Sequence, residues 1–374
     1  MALVPGTLPR LREAGLATIV ESGAGSSAGF PDDAYREHGA TIGTREEVLD
    51  ADVLLQVHVG RGAEDALERL RPGQTVVGLT DVLAGPEWLR PVAERSVDLF
   101  ALDLLPRTAR AQLMDALSSN ATITGYKAVV LAAERLPKMF PLLTTAAGTL
   151  PAAQVFVIGA GVAGLTAIAT AKRLGAVVQA YDVRPAGQEE IESVGARAVS
   201  LDVGAEDAED TGGYAKQLGA EFYARQQNLL RDVIAAMDVV VTTALIPGRP
   251  SPVLVTEEAV MAMASGTVIV DCAAERGGNC ALTRADEIVV TSNGVTILGP
   301  TNLPATVPRQ ASQMYARHVT AFLLHVMERD DGDQHPSDDI VGATLVARGG
   351  QVVNARVLER LTDEEGGEDD TRSA

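Results

Sequence analysis

Short apolar runs alternate with amphipathic segments along the first hundred residues of the chain. The runs typical of buried strands cover 17–21, 52–59, 74–80 and 96–101. Apolar residues at helical spacing lie between them, over 8–16 and 31–38. Because strands and helices alternate, the pattern predicts a parallel sheet with helices on its faces.

The same alternation continues after a longer helical pattern that runs from 118 to about 145 and is broken by the Pro137–Pro141 region. We expect Ser118 or Ser119 to cap this helix. Strands are predicted at 154–158, 176–181, 239–243, 268–271 and 288–290, with a helix over 162–174. A second long helix over 307–327 is expected to cross back to the first domain, and Gly349-Gly350 fits a two-residue hairpin turn.

Composition narrows the function classes. The chain has 374 residues and a net charge of −19, and such an acidic surface argues against binding nucleic acid. Two cysteines cannot form a disulfide framework or a usual zinc site, and no metal site is predicted. No apolar stretch approaches the roughly 18 residues of a membrane-spanning helix. We therefore expect a cytoplasmic protein of two domains.

A glycine-rich motif gives the strongest chemical signal. Gly159, Gly161 and Gly164 form G-x-G-x-x-G directly after an apolar strand and directly before an amphipathic helix. The first glycine allows the tight turn, the second lets a pyrophosphate approach the backbone, and the third lets the helix pack on the sheet. The helix N-terminus then faces the phosphate charge. This context predicts that the chain binds one dinucleotide.

An acidic residue at the end of the next strand indicates which dinucleotide. Asp182 follows Gly164 by 18 residues, where a carboxylate is expected to accept hydrogen bonds from both ribose hydroxyls. It would repel a 2′-phosphate, which favours NAD(H) over NADP(H). Arg184 instead favours NADP(H), since arginine can bind a 2′-phosphate. We weight Asp182 more because it occupies the strand-end position.

Several further segments resemble the NAD(H)-binding component of proton-translocating NAD(P) transhydrogenase. The segment PRTARAQLMDALSSNATITGYKAV resembles that family's nicotinamide-contacting loop and the helix after it, and GGYAKQLGAEFYARQ resembles its mobile loop. TTALIPGRPSPVL, VIVDCAAERGGNC and GPTNLPATVP resemble later segments. The similarity runs over about 1–350. Alanine dehydrogenase shares the fold and the glycine motif, so the first domain and the mobile loop must separate the two.

The resemblance implies a set of site residues. The spacing R-x4-Q-x2-D-x2-S assigns four residues to the nicotinamide loop, namely Arg107, Gln112, Asp115 and Ser118. Tyr214 corresponds to the tip of the mobile loop and is expected to close over the nicotinamide. The remaining positions implied to contact the cofactor, with the three glycines, are Val162, Asp182, Val183, Arg184, Gly213, Gln226 and Leu245.

The resemblance also implies the architecture and the assembly. We expect an α/β protein of two Rossmann-like domains with parallel sheets, separated by a cleft and linked by long helices. The first domain is predicted to comprise 1–117 and 304–374, with about the last 14 residues disordered, and the NAD(H)-binding domain 118–303. A homodimer is implied, peripheral to the inner face of the cell membrane. Membrane-embedded and NADP(H)-binding subunits are expected on separate chains. The chain is therefore expected to be subunit alpha of this enzyme.

One departure from the family pattern concerns the start of the chain. The family normally begins with a strand that bears a basic and an acidic residue, whereas this sequence begins MALVPGTLPRL. The loss of that strand would expose a sheet edge in the first domain. We do not expect it to affect the dinucleotide site.

Two other functions remain open at this point. An alanine dehydrogenase needs an acid–base group and cations near its substrate, but Gln56 stands where those enzymes carry a lysine. His58 is expected to be packed or solvent-facing, and His318 and His325 lie too far apart on one helix for a metal pair. A regulatory subunit that binds NAD without catalysis is the third possibility, although it would not need the loop that orients the nicotinamide.

Overall fold

The computed structural model describes residues 1–60, 64–201, 219–328 and 338–362 of the chain. The chain forms two compact units. Unit 1 comprises Met1–Asn120 and Val307–Ala374, and unit 2 comprises Ala121–Thr306. Each unit has its own β-sheet.

The strands are short, whereas the α-helices range from five to 20 residues. In chain order the strands are β1 (Ile19–Glu21), β2 (Thr41–Gly43), β3 (Val53–His58), β4 (Thr75–Leu79), β5 (Asp98–Ala101), β6 (Leu143–Thr145), β7 (Gly148–Leu150), β8 (Gln154–Ile158), β9 (Val177–Tyr181), β10 (Arg197–Ala198), β11 (Val239–Thr242), β12 (Val268–Asp271), β13 (Ile288–Val290), β14 (Thr296–Leu298), β15 (Leu345–Arg348) and β16 (Gln351–Val352). The α-helices are α1 (Leu8–Glu13), α2 (Asp32–Glu37), α3 (Arg45–Leu49), α4 (Glu64–Glu68), α5 (Leu89–Ala93), α6 (Ala116–Arg135), α7 (Val162–Arg173), α8 (Pro185–Ser193), α9 (Ala220–Ala235), α10 (Glu257–Met261), α11 (Pro308–Met327) and α12 (Asp339–Thr344).

Unit 2 is built on a seven-stranded sheet in the order β10-β9-β8-β11-β12-β14-β13. Its neighbouring strands run parallel, except that β13 is antiparallel to β14. From β8 the chain first adds β9 and β10 on one side, and then returns to add β11 and β12 on the other. In open α/β sheets such a reversal marks the crevice where ligands bind, at the carboxyl ends of the strands.

Both faces of this sheet are buried. Val155 and Val157 of β8 point into a core that includes side chains of α6 and α7. Phe156 and Ile158 point to the opposite face, where side chains of α9 and α10 cover them. A strand buried on both sides explains the continuous apolar run in this part of the sequence.

The described residues of unit 1 form two sheets. The larger has the order β16-β15-β5-β4-β3, with β3, β4 and β5 parallel, and β1 pairs only with β2 among the described strands. The strand predicted at 17–21 therefore lies in a separate two-stranded parallel sheet, while the later predicted strands form the parallel part of the larger sheet. Val20 of β1 shares an apolar cluster with Val53 and Leu55 of β3, so side-chain packing joins the two sheets. The predicted hairpin is confirmed, with φ of 58° at Gly349 and 84° at Gly350.

The first long helix begins earlier than the sequence suggested. α6 starts at Ala116, and the carboxylate Oδ1 of Asp115 accepts a hydrogen bond of 2.8 Å from the N–H of Ser118. Asp115 therefore caps the helix, and the expectation that Ser118 or Ser119 would cap it was wrong. Both serines lie in the first turn, and the Ser119 hydroxyl donates to the carbonyl of Ala116.

The same helix ends at Arg135, which confirms the predicted break at Pro137–Pro141. A hairpin of β6 and β7 follows it and was missed. Its sequence, LTTAAGTL, has no Asn-Gly or Asp-Gly pair and therefore lacks the usual hairpin signal.

No helix in the described ranges has the length and apolar character needed to cross a membrane. Across those ranges there is also no group of three or more His, Cys, Asp or Glu side chains placed to hold a metal ion. Cys272 and Cys280 are free thiols. Burial raises the pKa of Cys280 to about 11 and raises that of Cys272 as well, so both thiols stay protonated at neutral pH.

Candidate dinucleotide-binding site

The glycine motif forms a tight turn between β8 and α7. Gly159 has φ of 101°, a conformation that favours glycine, and its N–H donates to the carbonyl of Tyr181 on β9. A Cβ at Gly164 would press on the carbonyl oxygen of Gly159, so only glycine lets α7 start here. At Gly161 a Cβ would meet nothing within 4 Å. The open space beside Gly161 is where a ligand can approach the backbone.

The N-terminus of α7 lies at this open side. Gly161 is its N-cap residue and supplies no side-chain cap, so the first N–H groups of a 12-residue helix have no capping side chain. Behind the turn α6 passes very close to α7, because a Cβ at Gly125 would press on the carbonyl of Ala163. Helix α6 thus supports the turn on one side, and the first N–H groups of α7 face the open side. Such backbone N–H groups are suited to binding an anion.

Asp182 follows β9 directly and is only 9% exposed. Its Oδ2 accepts from the N–H of Ala160 at 2.6 Å, and its Oδ1 accepts from the N–H of Arg184 at 2.8 Å. The Arg184 guanidinium donates to the same carboxylate, from Nε at 3.0 Å and from Nη2 at 3.1 Å. Nη2 also lies 3.4 Å from Glu190. Asp182 therefore ties the glycine turn to the end of β9.

A buried amide bonds Tyr181, the residue before Asp182. Gln226 of α9 is 2% exposed, and its Nε2 donates to the hydroxyl of Tyr181 at 2.8 Å. Burial and the nearby Asp182 raise the pKa of Tyr181 to about 12, so it remains a neutral phenol. Among the described residues the Oε1 of Gln226 has no hydrogen-bond partner. Leaving a buried acceptor without a hydrogen bond costs free energy, and a ligand that donates to this oxygen would recover that cost.

Three apolar positions complete the set predicted in unit 2. Val162 opens α7 and Val183 follows Asp182, and both are partly exposed. Leu245 follows β11 and is 47% exposed. The structure thus places these residues on the segments that follow the carboxyl ends of β8, β9 and β11.

The support beneath Leu245 was missed by the sequence analysis. Asn279 is fully buried and bonds both the N–H and the carbonyl of Ala244, at 3.0 and 2.9 Å, and the carbonyl of Pro252 at 2.8 Å. Asp271, also fully buried, accepts from the Thr242 hydroxyl at 2.8 Å and from the N–H of Cys280 at 2.9 Å. The sequence signal for this support was Asp271 at the end of the apolar run VIVD, with Asn279 in the segment that follows.

The predicted nicotinamide loop lies in unit 1. Arg107 and Gln112 are exposed, whereas Asp115 and Ser118 are partly buried. Between them Ala111 is 1% exposed and anchors the segment in the core. The amide of Gln112 is therefore exposed to solvent, while Asp115 has the structural task of capping α6.

Two predicted residues, Gly213 and Tyr214, lie outside the described residues, as does the acidic end of the chain. The structure brings the glycine turn, Asp182, Arg184 and Gln226 together in unit 2. These residues fit a dinucleotide, because they combine an open backbone anion site with a carboxylate and an unpartnered acceptor.

Both halves of the chain match a described family. The N-terminal domain of the alanine dehydrogenase/PNT family matches residues 1–124, and its C-terminal domain matches 128–355. The chain belongs to this family. The α/β fold predicted from the sequence is thereby confirmed as the fold of the alanine dehydrogenase/PNT proteins.

Within the alanine dehydrogenase/PNT family the chain is similar to NAD(P) transhydrogenase alpha subunits. It is 44% identical over 358 residues to the NAD(P) transhydrogenase subunit alpha of Cereibacter sphaeroides, which covers 94% of this chain and 68% of that protein. It is 41% identical over 362 residues to the first segment of the alpha subunit of Rhodospirillum rubrum, with 95% and 94% covered. The solved transhydrogenase structure from Sinorhizobium meliloti superimposes with a TM-score of 0.83 at 39% identity, covering 94% and 95%.

Alanine dehydrogenases are more distant members of the same family. Alanine dehydrogenase 1 of Staphylococcus aureus is 25% identical over 363 residues, with 95% of this chain and 91% of that protein covered. A solved L-alanine dehydrogenase shares the fold, with a TM-score of 0.80 at 22% identity over 97% of this chain and 95% of that one. The chain is thus a close homologue of transhydrogenase alpha subunits, which are oxidoreductases, and the resemblance found in the sequence is confirmed.

Proposed function

We propose that this chain binds NAD(H) and exchanges hydride with NADP(H) held on a partner subunit of a proton-translocating NAD(P) transhydrogenase. The main support for this proposal is the position of the Asp182 carboxylate, which follows β9 and accepts a hydrogen bond from Ala160 inside the glycine turn. The same carboxylate thus lies where the ribose is expected and bonds the turn where the pyrophosphate is expected. The homology to transhydrogenase alpha subunits supports the same assignment.

Electrostatics favours the non-phosphorylated dinucleotide. The buried carboxylate of Asp182 accepts hydrogen bonds from ribose hydroxyls, whereas a 2′-phosphate at that position would meet a like charge. Arg184 offsets part of the negative charge, but its guanidinium is already shared between Asp182 and Glu190. We therefore propose NAD(H) for this chain and assign NADP(H) to the partner.

The chemistry needs positioning more than acid–base catalysis. The bound cofactor supplies a nicotinamide whose C4 gives or takes a hydride, and no proton has to be moved in that step. Gln112 and Arg107 are then proposed to orient the nicotinamide ring. The exposed amide of Gln112 offers both donors and an acceptor, and the exposed guanidinium of Arg107 offers donors only. Tyr214 and Gly213 are proposed to belong to the loop that excludes water.

The alanine dehydrogenase alternative lacks support in the residues. Gln56 of β3 carries a neutral amide where those enzymes have a lysine, and its backbone carbonyl accepts from the hydroxyl of Tyr315 at 2.6 Å. His58, at the end of β3, is exposed. Neither residue forms a clamp for a substrate carboxylate together with an acid–base group.

We also propose a homodimer docked through partner subunits to the inner face of the cell membrane. Large apolar side chains are exposed around the β6–β7 hairpin, at Met139 (54%), Leu142 (60%) and Leu150 (48%). Exposed apolar side chains of this kind mark a protein–protein interaction site, and we propose that a second copy of the chain covers them. Light scattering should give twice the chain mass for the wild type and the single mass for Leu142→Glu. Leu358→Glu in unit 1, where Leu358 is 44% exposed, is the matched control.

The deciding experiment mixes the purified chain with an NADP(H)-bearing transhydrogenase subunit and supplies NADH and thio-NADP⁺. We expect the absorbance of reduced thio-NADP to rise only when both proteins are present. Turnover of L-alanine with NAD by the chain alone would replace the proposal with the amino-acid dehydrogenase. NADH binding without any exchange would instead indicate a regulatory subunit.

A further inference from the structure

The segment that carries Gln112 is held by its neighbours in the chain. Ala111 and Met114 are 1% and 7% exposed and pack in a core cluster with Phe322 of α11. Gln112 and Leu113, between them, are exposed, and Leu113 is 75% exposed. The segment 110–114, which we call the Gln112 segment, thus has two buried anchors and an exposed tip.

His318 of α11 reaches the backbone of this tip. Its Nδ1 lies 2.8 Å from the carbonyl oxygen of Leu113. A carbonyl oxygen only accepts, so Nδ1 carries the hydrogen of this bond whatever the state of the other ring nitrogen. The helix itself is firmly placed, because Tyr315 and Val319 beside His318 are 2% and 0% exposed. The hydrogen bond from His318 therefore holds the Leu113 carbonyl in a fixed position relative to α11.

Arg110 fixes the other side of the segment. Its guanidinium contacts both oxygens of Asp338, at 3.3 and 3.4 Å, and also bonds Asp339. The Asp338 side chain is fully buried and caps α12, accepting from the N–H of Ile340 at 2.9 Å. His325 of α11 lies 3.4 Å from the same carboxylate. Arg110 thus binds a carboxylate that two helices hold in place.

We infer that His318 and Arg110 are positioning residues for hydride transfer, which act by fixing the Gln112 segment from both sides. This inference rests on the proposed function. His318 bonds the carbonyl of Leu113, and Arg110 ties its own position to Asp338, so the two bonded positions flank the amide expected to orient the nicotinamide. A displacement of about 1 Å at the reacting centre can cost about a hundredfold in rate. The adenosine and pyrophosphate are expected to bind Asp182 and the glycine turn, so the affinity for the dinucleotide should depend little on His318 or Arg110.

The histidine offers a sharp pair of variants. The amide nitrogen of asparagine falls near the position of Nδ1, so His318→Asn keeps the donor to Leu113, whereas His318→Leu removes it and keeps the bulk. Arg317→Leu, at the exposed neighbouring position of α11, is the matched control. Each full-length variant is assayed for NADH affinity by titration and for hydride transfer to thio-NADP⁺ with the NADP(H)-bearing subunit.

We expect His318→Leu to lower the transfer rate at saturating NADH by about 10- to 100-fold. Its dissociation constant for NADH should stay within about twofold of wild type, and His318→Asn should recover most of the rate. Arg110→Gln should show the same split between rate and affinity. The Arg317→Leu protein should match wild type in both measurements.

The outcomes separate the inference from the function on which it rests. Absence of transfer by the wild-type pair removes the proposed function. With an active wild type, a His318→Leu protein of unchanged rate overturns the positioning role. An equal loss of NADH affinity would do so too, because it would indicate a binding role. If His318→Leu fails to fold, Arg110→Gln decides by the same comparison.

Discussion

The guanidinium of Arg184 lies on both carboxylate oxygens of Asp182, at 3.0 and 3.1 Å. Two backbone N–H groups, from Ala160 and Arg184, occupy the remaining acceptor positions. A carboxylate offers about four such positions. The backbone donors are fixed by the turn, so a ribose diol that bonds Asp182 has to compete with the guanidinium.

The first prediction concerns Asp182 itself. Asp182→Ala is expected to weaken NADH binding by about 1.5–3 kcal/mol, the usual loss for a hydrogen bond to a charged group. Isothermal titration measures the change. Asp232→Ala on α9 removes the same charge from a side chain that is 82% exposed, and it should bind NADH as wild type does. Equal affinity of the Asp182 variant and wild type would exclude the ribose contact.

The second prediction concerns selectivity. Arg184→Ala removes a cation from the 2′-phosphate position and leaves the carboxylate uncompensated, so the ratio of the NADPH to the NADH dissociation constant should rise. Asp182→Ala should lower the same ratio. Fluorescence titration with both nucleotides gives the two ratios. A shift in the same direction for both variants would contradict the electrostatic account.

The third prediction separates folding from ligand contact within the glycine motif. Gly161→Ala adds a methyl group into open space, so the melting temperature should stay within about 2 °C of wild type while NADH binding falls at least about tenfold, because the pyrophosphate loses its approach. Gly164→Ala forces α7 away from Gly159 and should unfold the protein several degrees earlier. Thermal melts with and without NADH test both. Normal NADH binding by Gly161→Ala would argue against the phosphate position.

The fourth prediction concerns the exposed amide of unit 1. Gln112→Ala should reduce hydride transfer more than it reduces NADH affinity, because the amide is expected to orient a ring that other groups already bind. Single-turnover transfer and equilibrium titration provide the two numbers. Gln351→Ala, at an exposed glutamine of β16, is the control. Equal losses in rate and affinity would show that Gln112 only holds the cofactor.

The fifth prediction follows from the buried carboxylate of Asp338. Burial alone would raise its pKa, but the N–H groups of Val341 and Ile340 and the nearby His325 outweigh burial and lower the pKa to about 2. An unfolded aspartate titrates near about 3.9. The ionised group therefore stabilises the folded state above about pH 4, and the contribution is lost as the pH falls toward about 2.

Asp338→Asn should accordingly lower the free energy of unfolding by about 2 kcal/mol at neutral pH. The difference from wild type should shrink steadily as the solution is acidified. Urea denaturation over a pH series measures both. Asp33→Asn, at a side chain that is 84% exposed, is the control for the loss of a carboxylate. A difference that is constant with pH would assign the loss to packing and not to charge.

Local sequence signals predicted much of unit 2. The motif strand, its helix and the following strand were expected at 154–158, 162–174 and 176–181, and they occur at Gln154–Ile158, Val162–Arg173 and Val177–Tyr181. Continuous apolar runs and glycine spacing are properties of adjacent residues. Such signals therefore predict the elements without knowledge of contacts to distant parts of the chain.

Contacts between distant residues could not be predicted in the same way. His318 bonds the carbonyl of Leu113, 205 positions earlier, and Arg110 binds Asp338, 228 positions later. Neither pair has a local pattern, because only the folded unit brings α11 and α12 to the Gln112 segment. The cap at Asp115 was missed for a different reason, since two serines close by offered an equally good signal.

The close passage of α6 over α7 has a practical consequence for anyone engineering heat resistance. Exchanging a glycine within a helix for alanine ordinarily gains up to about 1 kcal/mol. At Gly125 the added methyl group would instead push against Ala163 and tilt the first turn of the neighbouring helix. A routine stabilising substitution would therefore disturb the glycine turn from a helix behind it.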